Sequence, residues 1–354
     1  MIKRIFLAIF LLTFASADVT AQDVMVQGKT LREDVLAERI LIPALRIPNY
    51  RDEMRRLVER LSEYAKNRNP EFIIMVRDGV SLLHRGEWEQ QLVQTQFAEE
   101  HNAYTQDDVH LAKLFNRAPP KMQVGTEMTR YLRAIDGVVF SNLLCLEKTL
   151  PEDISSLLAN RDISIFSAEQ CSRAQTMSSY PSSPENKRII PNVPPVRNNP
   201  SNVFSLRDVK NYLMLKDNSF YKSKDEIMEA FAQTNHDMLI INPFFRKNHT
   251  FNQEEIRRLK MKKIGGQRLL LAYFNLSGIN ESMYFWRNHW RVLDPSWIRL
   301  PSPIIAGNYI IEYWTSDWHT LASEYLQGVM HLGFDGIYFE GVDYHLIFEN
   351  LTPI

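Results

Sequence analysis

The chain is poor in cysteine, with 2 among 354 residues, and has only 13 glycines. Two cysteines exclude a disulfide-dense scaffold and a multi-cysteine zinc site. No strand-like run is followed by G-x-G-x-x-G, so a dinucleotide site has no support, and no cofactor is expected. There is no G-x-S-x-G elbow. The nine histidines show no H-E-x-x-H or paired spacing, which argues against a metal. Charge of one sign is lacking too: the net charge is -1, and it becomes about -2 if residues 1–21, with Lys3, Arg4 and Asp18, are removed. That balance leaves no basic footprint for nucleic acid. Long apolar runs are confined to one place. Lys3-Arg4 precede an apolar stretch from Ile5 to Phe14, and small residues follow at Ala15-Ser16-Ala17 and Val19-Thr20-Ala21. The stretch is about half the ~20 residues that span a bilayer, so residues 1–21 read as a signal peptide, with an uncleaved N-terminal anchor as the rival. The expected product is secreted or periplasmic, with no membrane span after cleavage.

What is present is 45% hydrophobic and 23% charged residues, enough for a packed core. Residues 22–46 read as an N-terminal arm. Met54, Leu57, Val58, Leu61 and Ala65 then recur at helical spacing. Phe72–Val76 follows as a short apolar run of buried-strand type, broken by Arg77-Asp78-Gly79. This alternation repeats. Strands are expected near residues 74, 138, 165, 190, 213, 240, 271 and 338, most preceded by a helix, and residues 172–205 form a long loop rich in Ser, Pro and Asn. Alternating apolar strands and helices imply a parallel sheet covered on both faces. Eight of them fit a (β/α)8 TIM-type barrel over 47–354, with an open doubly wound sheet as the rival. Asp136 and Asp335, each before Gly, shape the entry to a strand rather than do chemistry.

Several segments resemble a known pattern. Asp237–Asn242, Leu271–Gly278 with Tyr284-Phe285-Trp286, Gly307-Asn308-Tyr309 with Tyr313-Trp314 and Trp318, and Gly333–Glu340 are similar to successive segments of glycoside hydrolase family 114, the endo-α-1,4-polygalactosaminidase-like barrels. Met54–Val58 through Asn69–Ile74, and Tyr131–Gly137, resemble segments that the family places after its Phe-Asp-Gly strand, yet here they come first. The resemblance therefore implies a circular permutant, with the second barrel half at 47–190 and the first at 206–348. Nearby termini make such a permutation tolerable. It requires the 72–76 strand to pair with the 336–339 strand.

A barrel enzyme carries its site at the carboxyl ends of its strands, and glycoside hydrolysis usually needs two carboxyl groups there. The resemblance implies an Asp where this chain has Asn242, and a Gly-Glu pair where it has Ser277-Gly278. Both acids are replaced. Glu340 stands where Asp is usual, Asp343 fits the pattern, Arg77-Asp78 replaces Gln-Asn, and Ser141-Asn142 stands where an acid is usual. Glu169 lies just past the strand at 163–166. The catalytic candidates are thus Glu340, Asp78 and Asp343. The binding candidates are Asn242, Tyr273, Tyr313, Trp314, Arg77 and Glu169. Nine aromatics from Tyr284 to Trp318 form an insertion suited to sugar faces or to a cation, although half or more would be core. Cys145 and Cys171 each follow a strand, and a disulfide between neighbouring loops is favoured over a nucleophile. The expected partner is a polysaccharide or oligosaccharide, most directly an amino-sugar polymer, with weak or absent hydrolysis. The alternatives are an active endo-acting hydrolase using Glu340 with Asp78 or Asp343, and a structural or partner-binding exported protein.

Overall fold

The computed structural model describes residues 25–26, 29–30, 43–100, 121–143, 149–169, 182–184, 188–247, 249–352 and 354. The expected signal peptide and both Cys145 and Cys171 lie outside them.

Helix α1 (Tyr50–Lys66) shows how local sequence builds an element. Asn49 caps it by accepting from the Asp52 amide at 3.1 Å, and Asp52 and Glu53 complement the first turn. Met54, Leu57, Val58, Leu61 and Ala65 are buried along one face. The last turn places Lys66 2.8 Å from Asp136. The other helices are α2 (Glu87–Glu100), α3 (Thr129–Ala134), α4 (Glu152–Asn160), α5 (Lys224–Ala232), α6 (Gln253–Leu259), α7 (Ser316–Leu332) and α8 (His345–Leu351).

One parallel sheet organises the chain. Its strands are β1 (Ile73–Arg77), β2 (Gly137–Ser141), β3 (Ser164–Glu169), β4 (Ser182–Pro184), β5 (Tyr212–Leu215), β6 (Met238–Ile241), β7 (Leu269–Asn275) and β8 (Gly336–Glu340), in spatial order β4-β3-β2-β1-β8-β7-β6-β5. β1 pairs with β8 in register Ile73↔Gly336 through Val76↔Phe339, so the earliest long strand lies beside the last. The eighth strand differs from expectation. It falls at Ser182–Pro184 inside the anticipated loop, not near residue 190. Ile190 is buried in the outer core and its amide donates to the Tyr221 hydroxyl at 2.8 Å, so its apolarity serves packing rather than a ladder.

Strand side chains alternate between two cores. Ile74, Val76, Val138, Phe140, Leu213, Leu239, Ile337 and Phe339 belong to the outer core under the helices. Ile73, Met75, Val139, Phe166, Tyr212, Met238, Ile240, Leu271 and Tyr338 meet in a second, inner cluster. Inner residues from seven strands can share one cluster only if the sheet curls around them. Phe166 on β3 meets Tyr212 on β5 edge-to-face at 5.8 Å, and the Tyr212 hydroxyl donates to the Ser167 carbonyl at 2.8 Å, across the curl. Val203, Leu206 and Val209, from the segment before β5, fill the inner cluster from below. Gly137 makes room for them, because a β-carbon there would meet Leu206 at 3.0 Å.

The lower rim is held by a repeated device. Asp136, just before β2, accepts the Ile74 amide at 2.8 Å and pairs with Lys66. Asp335, just before β8, accepts the Leu270 amide at 2.9 Å and pairs with Lys260 at 2.6 Å. Asp237, just before β6, accepts the Lys210 amide at 2.9 Å and pairs with Lys262 at 2.7 Å. Each carboxylate ties the entry of one strand to a neighbouring segment and to a lysine. The structural role anticipated for Asp136 and Asp335 is what the geometry shows.

The aromatic insertion after β7 forms a three-stranded antiparallel sheet, Gly278–Asn280, Asn308–Ile311 and Ile298–Pro301 in spatial order. Trp286, Trp297, Tyr313 and Trp318 are buried, so much of its aromatic content is core.

Candidate functional site

Glu340 ends β8 and is fully buried. A lone buried carboxylate would be strongly disfavoured, so its partners decide its state. Arg77, at the end of β1, donates from Nη1 to Oε1 at 2.6 Å, and Lys216, directly after β5, donates from Nζ to the same oxygen at 2.9 Å. The Tyr273 hydroxyl, from β7, donates to Oε2. Burial pushes the Glu340 carboxyl up. The Lys216 and Arg77 charges and the tyrosine bond outweigh it and bring it down to about 2. The same environment raises the Tyr273 phenol well above its ordinary range, through burial and the Glu340 charge.

Arg77 also donates from Nε and Nη2 to Ser141 Oγ, at 2.9 and 2.8 Å. Ser141 in turn donates its hydroxyl to Asp78 at 2.6 Å, and its amide to the other Asp78 oxygen at 2.8 Å. Asp78 adopts a left-handed backbone, φ 55°, which Asp tolerates better than most residues. The network thus runs Asp78–Ser141–Arg77–Glu340–Lys216 across the carboxyl ends of β1, β2, β8 and β5.

A cavity of about 700 Å³ opens beside Glu340, Lys216 and Tyr273. Its wall carries Phe244 and Tyr284, stacked at 4.7 Å with an interplanar angle of 11°. Five asparagines line it: Asn218, Asn242, Asn275, Asn280 and Asn308. Asn242 accepts the Phe244 amide at 3.0 Å, and the Asn280 amide donates to Asn308 at 3.2 Å.

Of the anticipated residues, Glu340, Tyr273 and Asn242 therefore reach the cavity. Arg77 stands behind Glu340, and Asp78 behind Arg77. Glu169 is buried at the end of β3, where Ser167 donates to it, and Asp343 is buried in the turn Val342–Tyr344. Tyr313 is fully buried and its hydroxyl donates to the Tyr50 carbonyl at 2.8 Å. Trp314 packs at 5.1 Å from Tyr50 and 4.8 Å from Phe348. Neither of these two aromatics lines the cavity; both knit the insertion to α1 and α8. Lys216, Phe244 and Arg246 were not anticipated. Their signal was available: Lys216-Asp217 follows the strand at 212–215 directly, and the strand-end rule applies there as it does after β8. Among the described residues no group of three or more His, Cys, Asp or Glu is placed to hold a metal, and no helix is long and apolar enough to cross a membrane.

Two fully buried groups, His345 and Glu340, weaken the fold on the acid side, while Glu349 and Glu312, whose carboxyls burial raises, act in the opposite direction. Burial holds the His345 imidazole well below its ordinary 6.5. Its Nδ1 lies 2.9 Å from the Val342 carbonyl and must donate to it, so Nε2 accepts from Ser81 at 2.8 Å. A group depressed in the folded state destabilises that state as pH falls below its ordinary value, because the unfolded chain takes the proton first. Stability should therefore decline from about pH 6.5 downward through His345. Glu340 adds a further loss below about 4.5, as pH drops towards its depressed value. Urea midpoints measured from neutral pH to pH 3 test this, and His345→Gln should flatten the upper part of the decline.

Comparison with known proteins returns relatives without an established activity. The chain is 28% identical over 152 residues to an uncharacterized protein of Methanocaldococcus jannaschii, covering 42% of each. It is 32% identical over 73 residues to an uncharacterized protein of Thermotoga maritima, covering 21% of this chain and 23% of that one. A third, from Deinococcus radiodurans, is 25% identical over 114 residues, covering 32% and 35% respectively. The chain thus spans less than half the length of each relative. No protein-family model matches it.

Proposed function

We propose that this chain is an exported, circularly permuted barrel of glycoside-hydrolase type that binds a polysaccharide in the strand-end cavity and hydrolyses it weakly or not at all. Three observations support the barrel and its permutation. The sheet curls around an inner core, the edge strands β4 and β5 approach within 8 Å at Cα without a ladder, and the β1–β8 pairing that permutation requires is present. A permuted chain aligns collinearly with an unpermuted relative only over part of its length, and matches over 21–42% of this chain fit that behaviour.

The observation that carries the binding reading is the cavity's lining. A stacked aromatic pair offers a face to a sugar ring, and asparagine amides offer donors and acceptors to hydroxyl groups. Hydrolysis needs one carboxyl kept protonated near neutral pH. The acids lining the cavity are Glu340 and Asp217. Glu340 is held ionised, and Asp217 lies 3.1 Å from Arg188 with its carboxyl lowered by Ser219 and Arg188 against the opposing effect of burial. Neither can serve as a general acid at neutral pH. Asp78 is engaged by Ser141 and does not line the cavity.

Calorimetric titration with α-1,4-linked oligosaccharides tests the reading. Tyr284 is half-buried, so Tyr284→Ala should leave the fold intact while weakening saccharide affinity about tenfold, or about 1.4 kcal/mol. Unchanged affinity in a folded variant would remove this cavity as the site.

A further inference from the structure

The resemblance implies a polymer of amino sugars, which are cationic when not acetylated. The cavity's charges run the other way. Its lining includes four cations, Arg188, Lys216, Arg246 and Lys247, against two carboxylates, Asp217 and Glu340, an excess of two positive charges. The carboxylates are already matched: Lys216 lies 2.9 Å from Glu340, and Arg188 lies 3.1 Å from Asp217. Arg246 and Lys247 remain. Arg246 reaches the neutral Tyr221 carbonyl at 3.4 Å and sits over the Phe245 ring, and neither cation is paired with an acid among the described residues. A protonated amine entering here would meet uncompensated like charge, since both cavity acids are taken.

We infer that the cavity selects an acidic saccharide, whose anionic group is received by Arg246 and Lys247. This rests on the saccharide reading above and names its substrate class. The placement is economical. Phe244, Arg246 and Lys247 belong to one short segment, with Phe244 and Arg246 in the strand Phe244–Arg246 that pairs with His249–Thr250. A ring lying on the Phe244–Tyr284 stack therefore has two cations within the same segment. Guanidinium is suited to a carboxylate or sulfate, because its parallel N–H groups can donate to two oxygens at once. Asn242, Asn280 and Asn308 supply amides for the sugar's hydroxyls on the cavity's remaining wall. Complementary charge of this kind sets specificity more than raw affinity, and it weakens as salt rises.

The test is calorimetric titration of the purified protein with α-1,4-linked oligosaccharides of equal length, at low and high ionic strength. The probes are an oligogalacturonate, a neutral galacto-oligosaccharide, its sulfated form, and a galactosamine oligomer. Either acidic probe should bind about tenfold tighter than the neutral one at low salt, with the galactosamine oligomer weakest. The tighter of the uronate and the sulfate identifies the acid group. In Arg246→Gln/Lys247→Gln the preference should shrink to within about threefold. Arg246 is exposed and Lys247 half-buried, so the double variant should fold, and circular dichroism checks that it does. A galactosamine oligomer binding as tightly as the acidic probes would overturn the inference. So would equal affinity for acidic and neutral probes, which leaves the saccharide reading intact. Binding of none of the four would overturn the saccharide reading and this inference with it.

Discussion

Replacing Arg77 with methionine should lower the unfolding free energy by about 3–5 kcal/mol, the usual cost of removing one partner from a buried ion pair. Arg77 and Glu340 are both fully buried and 2.6 Å apart. Methionine keeps most of the arginine stem's volume, so cavity formation contributes little. What is lost is charge compensation. Glu340 keeps Lys216 and Tyr273 but loses its strongest geometric partner, and Ser141 loses two donors. The Glu340 carboxyl should rise from its depressed value as a consequence. The double variant Arg77→Met/Glu340→Met should cost less than the sum of the two single changes, because it removes both charges together. Urea denaturation of the four proteins measures the cycle. A loss under about 1 kcal/mol for Arg77→Met would mean that the pair is solvated and that the account of Glu340 is wrong.

The second large effect is expected at the lower rim. Lys262 and Asp237 are fully buried, and Lys262 Nζ donates to Asp237 at 2.7 Å, to the Asn199 carbonyl at 2.8 Å and to the Ser201 carbonyl at 2.7 Å. Lys262→Met leaves a buried carboxylate with the Asn199 side chain, the Lys210 amide and the field of the Arg268 guanidinium, and leaves two carbonyls without this donor. The cost should again be about 3–5 kcal/mol. It should also be local. Asn199 and Ser201 anchor the segment carrying Val203, Leu206 and Val209 into the inner core. Hydrogen exchange in residues 197–210 should accelerate before the rest of the sheet opens. Uniform acceleration across the sheet would show that the clamp holds the whole fold rather than this plug.

These two clamps show what a sequence reveals and what it hides. Apolar runs at helix-separated intervals made seven of the strands legible, and the Asp-Gly pairs before β2 and β8 were legible as strand entries. β4 was not, because Ser-Ser-Pro carries no apolar pattern and its assignment rests on backbone pairing with β3. Glu340 was legible as a strand-end acid. Its neutralisation was not, because Arg77 is 263 residues away in sequence and Lys216 is 124 residues away. Tyr313 and Trp314 read as ligand-facing because an aromatic cluster looks the same whether it covers a sugar or fills a core. Only packing against Tyr50 and Phe348 distinguishes the two. The cavity's charge was hidden for a similar reason. Arg188, Lys216 and Arg246 come from three separate segments and sum to a local field only after the chain folds.

The acid assignments sharpen the comparison with hydrolases. An enzyme of that class separates the behaviour of two carboxyl groups, holding one up and one down. Here Glu340 and Asp217, the two carboxyl groups that line the cavity among the described residues, are both held down. Under the proposed function, such a lining keeps the means to hold a sugar while giving up the proton transfer that cleaves it.

The most direct measurement is product analysis of a saccharide that the protein is shown to bind. The bound oligosaccharide is incubated to saturation with the purified protein at neutral pH, and new reducing ends are counted by mass spectrometry over days. The account predicts saturable binding with the oligosaccharide recovered intact. Accumulating shorter products, lost when Glu340 is changed to glutamine in a variant that still folds and binds, would contradict it.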